Sequence, residues 1–245
     1  MTASPARLGI FGAEGRMGRH IRASLDAHPS LQLVAAVSRG SDADLAGCDV
    51  VIDVSVAFAT SELLRRLDGS RAALVTAVTG RDEAQQTAIR AHADRAPLFT
   101  AANFSVGVAV MTRLVAEASR AMGGEVEVFE LHHREKADAP SGTALQLARV
   151  AAEAQGRSWP EARAAVRDGH TGPRASGQIG LAALRGGLVP GEHTVFVFGE
   201  SERIEVTHRA SDRAVFAHGA LRAAAWVVGR PAGSYSMTDL LDNSR

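Results

Sequence analysis

The chain has 245 residues, 46% hydrophobic and 22% charged, an ordinary globular composition long enough for one large domain or two smaller ones. Lys plus Arg and Asp plus Glu both number 27, so no net field recruits nucleic acid or an anionic membrane, although a local basic cluster can still hold a small anion. Cys48 is the one cysteine, which excludes an intrachain disulfide framework and a cysteine-based zinc site; with no signal-peptide core and no long apolar run, the expectation is a cytoplasmic protein without a membrane span.

Leu8–Phe11 is a short apolar run that ends in a glycine-rich turn, after which Met17, Ile21 and Leu25 recur at helical spacing. Leu31–Val37, Val50–Val54, Ala72–Val78 and Leu98–Thr100 read as strands, with helical segments at Ser61–Leu67 and Glu83–Ala93. Such alternation implies parallel strands with crossover helices, hence a doubly wound α/β sheet. After Asn103 the pattern changes. Val106–Met122 is an amphipathic helix with Met111, Leu114, Val115 and Ala118 on one side, and Glu125–Leu131 alternates Val126 and Val128 with acidic residues, as a half-exposed strand does. Ser141–Ala154 is helical, Gly169–Gly191 is rich in glycine and turns, and His193–Phe198 and Arg203–His208 are strands joined closely enough to pair antiparallel. This middle region, 104–212, reads as a second domain of the α+β kind. One more apolar helix, Phe216–Val228, precedes a short tail.

Gly12-Ala13-Glu14-Gly15-Arg16-Met17-Gly18 lies between the first strand and the first helix. Glycine tolerates positive φ and lets a pyrophosphate approach the backbone, while the helix start offers its unpaired N–H groups. A tight turn without a ligand is the competing reading; position after strand one of an alternating chain favours the nucleotide. The second strand ends at Val37 and is followed by Ser38-Arg39, where NADH-selective folds place an acidic side chain. A serine removes the repulsion of a 2′-phosphate, and Arg39 offers a planar charged fork, with Arg16 as a second cation. The expected coenzyme is therefore NADPH in preference to NADH, unless Arg39 is a solvated loop residue.

The densest chemistry is His132-His133-Arg134-Glu135-Lys136-Ala137-Asp138-Ala139-Pro140-Ser141-Gly142-Thr143. Two imidazoles, a guanidinium and an ammonium fall at the end of a strand. Ser141 is a natural N-cap, so Gly142 and Thr143 belong to an unpaired first turn that can bind a carboxylate. A cationic cluster facing such a helix start suits a small, multiply charged anion. The bland alternatives are one core and one surface histidine on a regular strand, or a solvated charge run. A metal site is disfavoured, because neighbours on a strand do not easily ligate together.

Together these segments resemble the dihydrodipicolinate reductase family, and the resemblance runs through nearly the whole chain. Gly12–Gly18, Ala101-Ala102-Asn103-Phe104-Ser105-Val106-Gly107, His132–Thr143 and Gly191-Glu192-His193-Thr194 occur in the expected order. The resemblance implies an N-terminal Rossmann-type dinucleotide-binding domain, 1–103 completed by 213–245. It also implies a substrate and oligomerisation domain, 104–212, whose open mixed sheet packs in a homotetramer. His132 corresponds to the catalytic acid/base and Lys136 to the proton donor. His133, Ser141, Gly142 and Thr143 correspond to substrate-binding positions, together with Thr79. Cofactor contacts correspond to Gly12, Ala13, Glu14, Gly15, Arg16 and Met17 and to Ala101, Ala102, Asn103 and Phe104; Ser38 and Arg39, read above from their own chemistry, are expected to join them, as are Ala77, Val78 and Thr79 after the fourth strand. The implied reaction is NAD(P)H-dependent reduction of 4-hydroxy-tetrahydrodipicolinate, a dicarboxylate, to tetrahydrodipicolinate in lysine and diaminopimelate biosynthesis.

Three departures accompany the resemblance. Ala77-Val78-Thr79-Gly80 stands where the family usually shows Gly-Thr-Thr-Gly, Asp53-Val54-Ser55 lacks the usual phenylalanine and the following residues a proline, and no acidic residue follows the second strand. The first two bear on cofactor affinity more than on reaction type. Two other readings compete. One is a dehydrogenase of similar architecture acting on another small dicarboxylate, against which Asp138–Thr143 argues. The other is a catalytically idle paralogue that senses a nicotinamide cofactor or metabolite, against which His132 and Lys136 argue.

Overall fold

The computed structural model describes residues 4–164 and 167–242; residues 1–3 and 243–245, which the sequence assigns to the first domain, lie outside the described residues, as do 165–166. The chain begins β1 (Ala6–Phe11), α1 (Arg16–Ala23), β2 (Leu31–Val37), β3 (Val50–Asp53), α2 (Thr60–Arg66), β4 (Ala73–Thr76), α3 (Glu83–Arg90) and β5 (Pro97–Thr100). It continues α4 (Val106–Met122), β6 (Glu125–His132), α5 (Gly142–Ala154), α6 (Trp159–Ala162), β7 (Ile179–Arg185), β8 (Glu192–Phe198) and β9 (Arg203–Arg209). It closes with α7 (Ala214–Val227), β10 (Gly233–Tyr235) and α8 (Met237–Asp242). Two compact units result: residues up to Val106 together with those from Arg213 onward, and Gly107–Asp212.

The first unit is built on a six-stranded sheet in the order β10-β5-β4-β3-β1-β2, with every pairing parallel. β3 and β4 are buried along their whole length, as strands covered on both faces must be, and so read as the continuous runs Val-Val-Ile-Asp and Ala-Leu-Val-Thr. Helix α7 lies close to the sheet because its buried residues are mostly small: Ala217, Gly219, Ala220, Ala223 and Ala224. A Cβ at Gly219 would fall 1.9 Å from the carbonyl oxygen of Phe104. From β1 the chain crosses to β2 on one side, and from β3 to β4 on the other. The crevice between β1 and β3 at the carboxyl ends of the strands is thus the topological switch point, where such sheets hold ligands.

The second unit carries a four-stranded mixed sheet in the order β7-β6-β8-β9. β6 and β7 run parallel across a long crossover, and β6–β8 and β8–β9 are antiparallel. One row of inward side chains crosses β6 and β8 in register, with Val126 opposite Val197, Val128 opposite Val195, and Glu130 opposite His193. The apolar part of this row packs with Met111 and Val115 of α4 and with Ala144, Leu147, Ala148 and Ala151 of α5. Full burial of each Val or Leu contributes about 1.5–3 kcal/mol. At the end of the sheet the same row changes chemistry from valine to carboxylate and imidazole, which positions the site.

Several expectations need correction. The stretch Gly169–Gly191, read as turns, contains strand β7; its small residues Gly180, Ala182 and Ala183 hide the alternation, and Gly180 leaves space that Glu127 fills, its carboxylate lying 1.8 Å from where a Cβ would stand. The tail contains β10, which extends the first sheet beyond β5, and α8. Leu114 is 52% exposed, because the buried stripe of α4 runs through Val108, Met111, Val115 and Ser119. Leu25 falls in a separate 3₁₀ turn beyond α1.

Candidate active site

Strand periodicity sends Glu130 and His132 to the same inward face as Val126 and Val128, and both are buried. His133 points away from that row, half-buried, and its N–H bonds the carbonyl of Val189 at 2.8 Å. Between the two residues lies the change from core to turn, since the Lys136 N–H closes on the His133 carbonyl at 3.1 Å. His132 donates through Nδ1 to the Glu130 carboxylate. Arg185, the partner of His132 in the β6–β7 register, grips that carboxylate with both Nη atoms, at 2.8 and 2.7 Å. It also donates to the carbonyl of Asp138 at 2.6 Å. The third partner of Glu130 is the Ser141 N–H at 3.0 Å.

Ser141 starts α5 as an N-cap, its Oγ accepting from the Ala144 N–H at 3.1 Å while lying 3.1 Å from His193 Nε2. Its amide and hydroxyl are thus both committed within the protein, and at 2% exposure it sets the helix start rather than meeting a ligand with its side chain. Gly142 and Thr143 occupy the first turn, whose N–H groups the helix itself cannot bond. Gly142 is exposed, and a Cβ there would meet nothing within 4 Å. This backbone therefore faces open space.

The imidazoles stand edge to face, with ring centroids of His132 and His193 5.2 Å apart. A Cβ at Gly191 would lie 2.9 Å from His132 Nε2, so the glycine there (φ +155°) makes room for the ring. Burial pushes the proton affinity of His132 down, against the raising effect of the Glu130 carboxylate; Lys136 and Arg185 lower it further. His193 is pushed down to about 4, mainly by burial and then by the neighbouring His132. Glu130 would be raised by burial, but the hydrogen bonds from Arg185, His132 and Ser141 outweigh that and hold it below the usual carboxylate range. Lys136 pairs through Nζ with Asp138 at 2.8 and 3.0 Å, on a carboxylate 63% exposed. This pair is solvated, weak and readily exchanged.

The first unit presents its expected cofactor residues on the connections that follow the parallel strands. Gly12 has φ +93°, and a Cβ there would meet Ser55 N and Val54 O at 2.9 Å, so the glycine loop is pressed against the connection after β3. At Gly18 a Cβ would lie 2.4 Å from the Gly12 carbonyl oxygen, which only glycine permits. Gly15 caps α1 without a side chain. Gly12 and Ala13 bond the Val37 carbonyl at 2.9 and 3.0 Å, and Glu14 N donates to Ser38 Oγ at 3.1 Å, which ties the loop to the end of β2. Glu14 itself pairs with Arg22 on the surface at 2.5 Å. Arg16 and Arg39 are exposed, and Met17 is half-buried. Ala77 and Val78 are half-buried and Thr79 exposed after β4; Ala101, Ala102 and Asn103 follow β5. Phe104 differs: at 3% exposure it stacks on Phe99 inside the unit, so its side chain belongs to the core.

Four residues of these sites were assigned no role from the sequence, although His193 lies in a segment that carries the resemblance. Glu130 and His193 are inward positions of alternating strands, and an acid in an inward row of valines is the signal that finds Glu130. Arg185 sits on the strand hidden in the turn-rich stretch. Arg81 follows β4 and is buried, its Nη2 on Asp53 Oδ2 at 2.6 Å. Among the described residues no cluster of His, Cys, Asp or Glu can hold a metal ion, and no helix is long and apolar enough to cross a membrane.

Family models for the N-terminus and the C-terminus of dihydrodipicolinate reductase match residues 6–104 and 107–241. The chain is 43% identical to the 4-hydroxy-tetrahydrodipicolinate reductase of Acinetobacter baylyi, with 98% of this chain and 97% of that one covered. It is 40% identical to the enzyme of the same name from Halorhodospira halophila, over 96% and 98% of the two chains. A dipicolinate-bound dihydrodipicolinate reductase from Paenisporosarcina sp. TG-14 shares the fold at 19% identity, with a TM-score of 0.75 over 95% of this chain and 97% of that one. Two family models covering both units and nearly full-length relatives at 40% identity or more leave one assignment: this chain belongs to the dihydrodipicolinate reductase family.

Proposed function

We propose that this chain is a pyridine-nucleotide-dependent oxidoreductase that reduces 4-hydroxy-tetrahydrodipicolinate in lysine and diaminopimelate biosynthesis. The observation that carries the reading is the buried His132–Glu130–Arg185 cluster beside the start of α5, where Gly142 in the first turn is exposed. A small dicarboxylate suits that chemistry: one carboxylate meets the first turn of α5 at Gly142 and Thr143, Lys136 and Arg134 supply positive charge nearby, and His133 adds an imidazole. Lys136 gives up the solvated Asp138 for the substrate at little cost.

A dinucleotide fits the first unit. Gly12, Gly15 and Gly18 form a cradle in which a side chain would collide with backbone at Gly12 and Gly18 and crowd it at Gly15, and Ser38-Arg39 put no acid where a 2′-phosphate would come. Gly12–Met17 would hold the pyrophosphate, Ser38 and Arg39 the ribose end, and the connections at Ala77–Thr79 and Ala101–Asn103 the remainder. When bound, the nicotinamide supplies the hydride. The protein's own part is to orient substrate and to deliver a proton, for which His132 serves as acid/base and Lys136 as donor. NADPH is the preferred coenzyme and NADH is also used.

The active form is a homotetramer built through the second unit. Support comes from the outer face of its sheet, where Phe129, Leu131, Phe196 and Phe198 are only half-buried and Leu184 is 53% exposed. The cytoplasm, which holds the nicotinamide pool, is the expected location. Oxidation of NAD(P)H by the purified chain, with substrate generated in a coupled assay, tests the activity. Dinucleotide binding without turnover would instead support the idle sensor. Sedimentation as a monomer at micromolar concentration would refute the tetramer.

A further inference from the structure

We infer that Glu130 is the positioning carboxylate of the proposed active site: it fixes His132 in the tautomer with the proton on Nδ1 and so reserves Nε2 for proton exchange with substrate. This inference rests on the reading of His132 as the proton-transfer group.

One residue, Leu131, separates Glu130 from His132 on β6, so their side chains leave the same face, and the carboxylate reaches the imidazole through Nδ1. An ionised carboxylate only accepts hydrogen bonds, so the nitrogen that meets it must carry the proton. Nε2 is then the basic nitrogen, and it points at Gly191, where the absence of a Cβ leaves the ring its space.

Glu130 is kept ionised by construction. Arg185 holds both of its oxygens in a bidentate fork, and the Ser141 N–H donates to Oε1 at 3.0 Å. The carboxylate is fully buried, in a row whose earlier members are Val126 and Val128. A third apolar residue there would continue the core without the cost of desolvating an ion pair, which buried pairs seldom recover as stability. Three elements, β6, β7 and α5, instead converge on one acid, and that acid touches the imidazole assigned to proton transfer. Because Ser141 is also the cap of α5, Glu130 joins the position of His132 to the helix start proposed to hold a substrate carboxylate.

The charged and titratable groups around His132 are Glu130 on its own strand, Lys136 on the following turn, Arg185 on β7 and His193 on β8. Of these only Glu130 raises its proton affinity; burial, Lys136 and Arg185 lower it. Removing the Glu130 charge therefore leaves His132 a weaker base as well as a freer ring.

Glu130→Gln, which keeps size and an acceptor oxygen, is the test, with kcat, both KM values and the His132 titration followed by imidazole ¹⁵N NMR. Expected are a fall in kcat of about 10²-fold or more, as for loss of a general acid–base group, an unchanged KM for NADPH, and a His132 titration moved to lower pH. An unmoved titration, or near-normal kcat, overturns the inference. Glu130→Asp retains the charge but withdraws it by one methylene; it is expected to keep the titration closer to the wild type than Gln does while losing kcat. Should both variants fail to fold with NADPH present, Glu130 is a purely structural acid and the inference is overturned. Full turnover in His132→Ala would sink the reading of the site itself, whereas an inactive His132→Ala beside an active Glu130→Gln would sink only the positioning role.

Discussion

Replacing Arg81 by methionine should destabilise the first unit by about 3 kcal/mol, at the lower end of what breaking a buried ion pair costs. Arg81 and Asp53 side chains are 3% and 0% exposed and meet at 2.6 Å. The guanidinium also donates from Nε to Thr60 Oγ1 at 2.9 Å, from Nη1 to the Val78 carbonyl at 3.2 Å and from Nη2 to Thr76 Oγ1 at 3.1 Å. Methionine fills much of the volume but leaves Asp53 without a counter-charge. The carboxylate keeps three donors, Thr76 Oγ1 at 2.9 Å, Ser55 N at 3.1 Å and Ser55 Oγ at 2.6 Å, and these set the loss near the lower limit. Adding Asp53→Asn removes the stranded charge, so the double variant should be more stable than Arg81→Met alone by about 1 kcal/mol or more. Urea unfolding can be read in a Trp159→Phe background, where Trp226, in the unit that carries Arg81, is the remaining tryptophan. With an m-value of about 2–3 kcal/mol/M, the midpoint should drop by roughly 1 M. A loss below about 0.5 kcal/mol, or a double variant no better than the single, would refute the argument that charge burial dominates. Since Arg81 also pins the Val78 carbonyl, NADPH should bind more weakly to the folded variant.

Further outcomes are expected. Gly142→Val, at a position where a Cβ meets nothing, should leave folding intact and raise the substrate KM about tenfold, worth about 1.4 kcal/mol; an unchanged KM places the substrate carboxylate elsewhere. His132→Ala and Lys136→Ala should each lower kcat by about 10²-fold or more while NADPH still binds, and near-normal turnover in both would discard the assignment. Arg39→Ala should weaken NADPH more than NADH by about 1–3 kcal/mol in calorimetry, equal losses showing that the loop does not hold a 2′-phosphate. His193 is held at about 4 against an ordinary 6.5, so its contribution is intact above pH 6.5 and is lost as pH falls through 4, about 3 kcal/mol in all. Urea melts along that range should show a shallower fall in His193→Gln, and parallel falls would contradict the assignment.

The doubly wound sheet was legible because buried parallel strands write themselves as apolar runs and the glycine loop follows the first of them. The second sheet was legible only where it alternates. β7 was hidden because Gly180, Ala182 and Ala183 carry neither bulk nor polarity contrast, and with it went Arg185. His132 and Lys136 stood out as chemistry at a strand end. Glu130 did not, because an acid in a strand reads as the solvent face until the register assigns it to the row of Val126 and Val128. The Asp53–Arg81 pair joins residues 28 apart and depends on two strand ends being neighbours, which no local pattern reports.

The first unit is also discontinuous, and that orders its assembly. Gly107–Asp212 is one uninterrupted stretch whose parallel and antiparallel partners are all present once β9 has been synthesised. The sheet that begins at β1 must wait: α7, which packs on β3, β4 and β5, and β10, which covers the edge of β5, follow the whole second unit in the chain. On a ribosome β1–β5 therefore emerge a full unit ahead of the elements that cover them and spend that time with an uncovered parallel edge, the kind of surface that pairs with the wrong chain. A chain released short of Gly233 would carry a complete second unit beside a first unit with β5 still open, so quality control by degradation has its natural target at the N-terminal half, not at the missing end.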